Sequence, residues 1–244
     1  QQGVSILCLP ELCVTGYGCE DLFHSPGFQE MAWQVLQEIL PATKGMVVSL
    51  SLPIFYQNAL FNAACLAVDG KITGFVTKRY LASDGIHYEP RWFKPWPEDV
   101  CGTLEVGETE VPIGDIMFDC GGVKIGFEIC EDAWAAQRPG GKLSRRGVDI
   151  ILNPSASHFA FHKIDIRKRF VEEGSRAFGV TYVYSNLVGN EAGRALYDGG
   201  ALIASGGNLL AVGSRFSYAD VGLTTAVVDV ELSRMKRTRP VSFN

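Results

Sequence analysis

Gly126-Phe127-Glu128-Ile129-Cys130-Glu131-Asp132-Ala133-Trp134 decides how the rest of the chain is read. Just before and into it, Val123, Ile125, Phe127 and Ile129 alternate with smaller or polar residues, the period of a half-buried strand. The alternation stops at Cys130-Glu131-Asp132. A cysteine at a strand end, followed at once by two acids, lies where an α/β chain leaves its sheet, the place such folds reserve for reactive groups. Cys130 is therefore a candidate nucleophile. Against this stands the ordinary fate of a free cysteine, a small buried hydrophobe. The chain holds seven cysteines, so Cys130 needs partners to be singled out.

Two other strand ends supply them. Val4-Ser5-Ile6-Leu7-Cys8-Leu9 reads as a buried parallel strand stopped by Pro10, with Glu11 just beyond. Residues 60–68 and 72–77 flank Asp69-Gly70, a strong hairpin signal, and Lys78 closes the second arm. Taken singly, Glu11 reads as a solvated or helix-capping acid and Lys78 as a snorkelling lysine. Taken together, the three are candidates for one carboxyl edge. A thiol needs a base or cation to become nucleophilic. Glu11 can be the base, and Lys78 can stabilise the thiolate and an oxyanion.

Periodicity predicts further elements. Residues 28–40 form an amphipathic helix with Phe28, Met31, Ala32, Val35, Leu36 and Ile39 inward, ended by Pro41. Strands are expected at 46–52, 149–152, 181–185 and 224–230, and a hairpin at 200–205 and 209–212. Residues 100–111 read as loop and edge. A helix over 164–178 points Ile166, Phe170, Ala177 and Phe178 inward and Arg167, Lys168, Glu172 and Glu173 outward. A short basic helix or tail follows at 232–239. Strands mixed with a few long helices make an α/β fold with more than one sheet, or one mixed sheet.

Composition excludes several function classes. With 244 residues, 47% hydrophobic and 20% charged, the chain is an ordinary globular one. A net charge of −5 without a basic run argues against nucleic acid or an anionic membrane as main partner. No apolar run has the length of a membrane span. An odd cysteine count without C-x-x-C reads as reduced thiols in a cytoplasm. His158 and His162 lack a third ligand, so no metal is expected. Ser205-Gly206-Gly207 lacks the Lys-Ser/Thr of a phosphate loop, Ser155 and Ser157 lack a nucleophile-elbow context, and no G-x-G-x-x-G opens a helix.

Longer segments carry a family resemblance. Leu9-Pro10-Glu11-Leu12, Lys78 and Glu128-Ile129-Cys130-Glu131 resemble the Glu-Lys-Cys segments of the nitrilase (carbon–nitrogen hydrolase) superfamily. Glu11-Leu12-Cys13-Val14-Thr15-Gly16-Tyr17-Gly18-Cys19-Glu20-Asp21, Tyr88-Glu89-Pro90-Arg91-Trp92-Phe93 and Cys130-Glu131-Asp132-Ala133-Trp134 resemble the glutaminase-domain family of glutamine-dependent NAD synthetases. The resemblance runs from Val4 to about Val230.

It implies a four-layer α-β-β-α sandwich, residues 1–244 forming one hydrolase domain that begins inside a longer protein, without the family's first strand and helix and without the ATP-binding synthetase domain. It implies Glu11 as acid and base, Cys130 as nucleophile attacking the glutamine amide to give a thioester, and Lys78 with the backbone N–H of Glu131 as oxyanion holders. Glu89 would orient the lysine. Ser157 and Lys163 would hold the substrate α-carboxylate and Glu131 its α-amino group. Lys163 stands where some relatives have arginine. Trp134 and Tyr17 would line the pocket. No cofactor is implied for the glutaminase reaction, and ATP and magnesium only for the synthetase domain, which would receive the ammonia. A homo-oligomer is also implied. The competing readings are a stand-alone amidase or carbamoylase of the same superfamily, and a catalytically silent assembly domain.

Overall fold

Strand β1 (Ile6–Cys8) runs parallel to β2 (Val47–Tyr56), with α1 (Pro26–Ile39) crossing between them. β2 pairs antiparallel with β3 (Ala59–Val68), and β3 with β4 (Lys71–Thr77) through the Asp69-Gly70 turn. A second hairpin, β5 (Cys101–Val106) and β6 (Thr109–Gly114), completes a six-stranded sheet ordered β1-β2-β3-β4-β6-β5. The second six-stranded sheet is built on three parallel strands, β8 (Val123–Phe127), β9 (Ile150–Ser155) and β10 (Thr181–Asn186). Its outer strands are β7 (Phe118–Cys120) on one side and β13 (Leu202–Ser205) with β14 (Asn208–Val212) on the other. A small ribbon, β11 (Val188–Glu191) and β12 (Ala195–Asp198), stands apart. Helices α2 (Pro139–Arg145), α3 (Lys163–Ala177) and α4 (Val230–Arg237) complete this computed structural model, which describes residues 3–191 and 193–238.

The period of two in each strand sorts its side chains into layers. Val48, Leu50, Leu52 and Ile54 of β2 face α1, where they meet Ala32 and Leu36. Ala64, Leu66 and Val76 face the other way and pack on Ile125, Phe127, Ile150 and Leu152 of the second sheet. Ile151, Tyr182 and Tyr184 on that sheet's outer face meet Leu143 of α2 and Val171 of α3. The order is helix, sheet, sheet, helices, the four-layer sandwich expected. β8 and β9 are covered on both faces. Gly126 in β8 is what lets α2 come close, since a β-carbon there would lie 2.8 Å from a Leu143 methyl.

Several expectations need correction. Residues 224–230 form no strand: they are irregular, with Val227 almost fully exposed, up to the start of α4. β-branched residues suggest a strand there, yet among the described residues no strand pairs with it. Residues 100–111 are not loop but most of a hairpin on the sheet edge. Met31 faces solvent at 56% exposure, because the buried stripe of α1 is centred on Ala32 and Leu36. Ile166 and Ala177 are likewise turned out, whereas Arg167, expected outward, is fully buried. Its guanidinium pairs with Asp198 Oδ1 at 2.7 Å and donates to the carbonyls of Ser157 and His158 at 2.7 and 2.8 Å. A charge is tolerated inside when it is paired and hydrogen-bonded, here through both terminal nitrogens, while Nε is left without a partner. Helix α4 matches the short basic helix foreseen, held by Arg234 and Arg237 on buried Asp149. The expected end at Arg239 lies outside the described residues, as do Gln1 and Gln2.

Gly140, in the first turn of α2, donates its N–H to Glu128 Oε1 at 2.7 Å. A β-carbon would run into the Phe178 ring and lie 2.7 Å from that same carboxylate oxygen. Gly140→Ala gains about 1 kcal/mol of helix propensity, but the overpacking costs about 1–3 kcal/mol. A net loss is expected, read as a lower urea midpoint at unchanged slope.

Candidate active site

The ends of β1, β4, β8 and β9 lie on one edge of the sandwich, because these strands share a direction within each sheet. Glu11 lies in the turn after β1, fully buried. Its Oε1 accepts from Asn62 Nδ2 of β3 at 2.8 Å and from Lys78 Nζ at 2.6 Å, and its Oε2 accepts from the Ala156 N–H just past β9 at 2.9 Å. One carboxylate therefore joins both sheets. Lys78 follows β4 directly, and its N–H prolongs the ladder to the Asn62 carbonyl at 2.9 Å. Its Nζ is gripped a second time by Glu89 Oε1 at 2.7 Å. Burial alone would push the ammonium towards its neutral form, but Glu11 and Glu89 outweigh it and hold Lys78 well above the usual lysine range. Glu89 itself is pushed up by burial, with Lys78 opposing.

Cys130 opens a short 3-10 turn, Cys130–Ala133, three residues beyond β8, with φ at +45°. A left-handed non-glycine residue is strained by about 1–3 kcal/mol and persists only where its surroundings enforce it. Asp132 does so. Its Oδ2 takes the Ile129 N–H at 2.8 Å, and its Oδ1 takes the N–H groups of Arg79 and Tyr80 at 3.1 and 2.8 Å. The Cys130 turn is thereby tied to the two residues after Lys78. Burial pushes the Asp132 carboxyl up to about 7 against these donors. The Cys130 thiol is also driven far up, by burial first and then by Glu11, with Lys78 pulling down and the Ala156 N–H assisting. Burial therefore favours the thiol form of Cys130 over the expected thiolate. The first N–H groups of a helical turn have no partner within it, and Cys130 and Glu131 carry them here.

The other expected residues separate into two groups. Tyr17 is committed to Glu89, donating to Oε1 at 2.7 Å, so it positions the lysine's partner as well as lining a cavity beside His87 and Tyr197. Trp134 is half-buried with its ring edge on Phe170, and Lys163 Nζ stands 5.5 Å from the Trp134 ring. Burial and Arg167 pull the Lys163 pKa down while Cys130 and Glu131 pull it up. Ser157 is buried, its N–H on Asn186 Oδ1 at 2.8 Å and its Oγ 3.1 Å from Arg167. Glu131 is half-exposed at the opening, its pKa raised by burial.

Asn62, Asp132, Asn186 and Arg167 were not among the residues singled out for the site. Asp132 was visible as part of the Cys-Glu-Asp run, but nothing in the sequence tells a buried acceptor from a solvated acid. His162 is exposed at the start of α3 and apart from His158. Among the described residues no cluster has the make-up of a metal site, and no helix is long and apolar enough to cross a membrane.

A family model described as carbon-nitrogen hydrolase matches residues 1–240. The chain belongs to the carbon–nitrogen hydrolase family. It is 34% identical over 253 residues to the putative glutamine-dependent NAD(+) synthetase of Schizosaccharomyces pombe, covering 98% of this chain and 36% of that protein. Identity is also 34% to the glutamine-dependent NAD(+) synthetase of Saccharomyces cerevisiae, over 99% of this chain and 35% of that one. The crystal structure of a glutamine-dependent NAD(+) synthetase from Cytophaga hutchinsonii superposes with a TM-score of 0.84 at 42% identity, over 94% of this chain and 38% of that one. A carbon-nitrogen hydrolase from Helicobacter pylori, 19% identical, shares the fold, with a TM-score of 0.78 over 98% of this chain and 82% of that one. This hydrolase thus spans 35–38% of the length of the three synthetases. The resemblance drawn from its motifs is borne out.

Proposed function

We propose that this domain hydrolyses the side-chain amide of glutamine to glutamate and ammonia, as the ammonia-supplying part of a glutamine-dependent NAD synthetase. The observation that carries the reading is the Lys78 ammonium clamped between two buried carboxylates beside a buried thiol. That set suits acyl transfer. Glu11 takes the Cys130 proton as Sγ attacks the amide carbon, and the oxyanion rests on Lys78 and the Glu131 N–H. Glu11 returns the proton to nitrogen, ammonia leaves, and a γ-glutamyl thioester remains. Glu11 then takes a proton from water, whose attack releases glutamate and restores the thiol. Glu89 holds the lysine throughout, and no cofactor enters.

Ser157 and Lys163 receive the α-carboxylate and Glu131 the α-amino group, with Trp134 as a wall. Lys163 offers a point charge rather than a bidentate fork. The released ammonia passes to an ATP- and magnesium-dependent domain that amidates nicotinic acid adenine dinucleotide, in a cytoplasmic homo-oligomer. The relatives' names and the shared extended motifs support this assignment. A diazo-ketone analogue of glutamine is expected to give a single adduct on Cys130, blocked by glutamine and mapped by mass spectrometry. Labelling of Cys130 by iodoacetamide but not by the analogue would exclude a glutamine pocket and favour another amide substrate.

A further inference from the structure

Behind the reacting groups runs a line of side chains in which His87 and His158 have no assigned part. Lys163 Nζ is 3.3 and 3.5 Å from Nδ1 and Nε2 of His158. His158 Nδ1 is 2.8 Å from His87 Nε2, and His87 Nδ1 is 3.1 Å from the Tyr17 hydroxyl. Tyr17 reaches Glu89 Oε1 at 2.7 Å, the oxygen that also holds Lys78.

With Glu89 ionised and both imidazoles neutral, the direction of each bond follows from the carboxylate end. Both Glu89 oxygens accept, Oε1 from Lys78 and Oε2 from the Ala82 N–H at 3.1 Å, so Tyr17 gives its one proton to Glu89. The tyrosine oxygen is then left as acceptor, and His87 must donate to it from Nδ1. Neutral His87 keeps a lone pair on Nε2, which His158 must meet with its own Nδ1–H. The remaining lone pair of His158 is on Nε2, 3.5 Å from Lys163 Nζ, so the ammonium closes the line by turning from the nearer Nδ1 edge, at 3.3 Å, towards Nε2.

We propose that His87 and His158 are positioning residues. Both are neutral Nδ1–H imidazoles, and they form a one-way hydrogen-bonded chain from the Lys163 ammonium to the Glu89 carboxylate. The chain links the group that receives the substrate α-carboxylate to the group that aims Lys78, and in that respect it rests on the glutaminase reading. The charges facing the pair suit neutral rings. Burial holds the His87 pKa down to about 4, with His158, Lys163, Lys78 and Arg194 acting in the same direction. Burial, Lys163 and Arg167 hold His158 down, opposed by Asp198. A second proton on either ring would set one N–H against another and break the line.

The chain predicts different kinetic effects at its two ends. His87→Ala frees Tyr17 and lowers kcat about 10–100-fold, since small misplacements at a reacting centre cost that much, with little change in KM. His87→Asn keeps a donor in the Nδ1 position and recovers most of the loss. His158→Ala releases Lys163 and raises KM more than it lowers kcat. Imidazole 15N NMR of the wild-type protein at pH 7.5 tests the geometry without substrate, with exposed His24 and His162 as references. Nδ1–H patterns for both His87 and His158 are expected. An Nε2–H or cationic pattern for either overturns the proposal, as does an unchanged kcat in His87→Ala. A protein that hydrolyses no glutamine would sink the functional reading alone, and the tautomers would still decide the chain.

Discussion

Cys130→Ala is expected to lower glutamine hydrolysis by at least about 10⁴-fold, the scale on which loss of a covalent nucleophile acts. The measurement is ammonia release under saturating glutamine. The fold should survive. The substitution removes only the buried sulfur atom and keeps the β-carbon, and Asp132, not the thiol, holds the turn through Ile129, Arg79 and Tyr80. A thermal midpoint within a few degrees of wild type is therefore expected. Unchanged glutamine-dependent activity in this variant would remove Cys130 from the mechanism and leave the silent-domain reading in its place.

Lys78→Met should be costly twice. It leaves Glu11 and Glu89, both fully buried, facing one another without the cation they share. Removing one partner of a buried ion pair costs about 3–5 kcal/mol, and here two carboxylates lose theirs. Hydrolysis should fall by about 10³-fold or more, because an oxyanion donor and the alignment of Glu11 go together. The pH dependence supplies a sign. The raised pKa of Lys78 stabilises the fold at every pH below the ordinary lysine value, and that contribution is lost as pH rises through its folded value. In the variant Glu89, pushed up by burial, loses the ammonium that opposes the shift, so the deficit should shrink towards acid. Lys78→Met combined with Glu89→Gln should recover part of the stability, read by urea unfolding, and none of the activity. Recovery of activity would show that Glu89 and Lys78 do not act as a pair.

Strand ends were the legible part of this molecule. A reactive side chain directly after a buried run is unusual enough in Glu11, Lys78 and Cys130 to be noticed, and the motif resemblance supplied the sandwich. Partners inside regular elements were not legible. Asn62 lies mid-strand, where its amide looks like any polar interruption, yet it holds Glu11. Arg167 obeys the period of a solvated helix face, and only the position of Asp198, 31 residues on, makes an interior charge tolerable. Residues 224–230 have strand composition, but hydrogen-bonding neighbours decide a strand and none is there among the described residues. The two histidines were weighed as metal ligands by their spacing of four, when the relevant partner of His158 was His87, 71 residues away.

The bond from the Ala156 N–H to Glu11 spans 145 residues of sequence. Contacts of such separation carry a large loop-closure entropy and close late in folding. A chain emerging from the ribosome would display the Cys130 thiol before β9 exists to complete the acid's support. Hydrolytic power should therefore switch on in one step, when the two sheets dock. Refolding followed by ammonia release should show activity returning with the slowest structural phase, and amide exchange at Ala156 should match the opening of the whole sandwich.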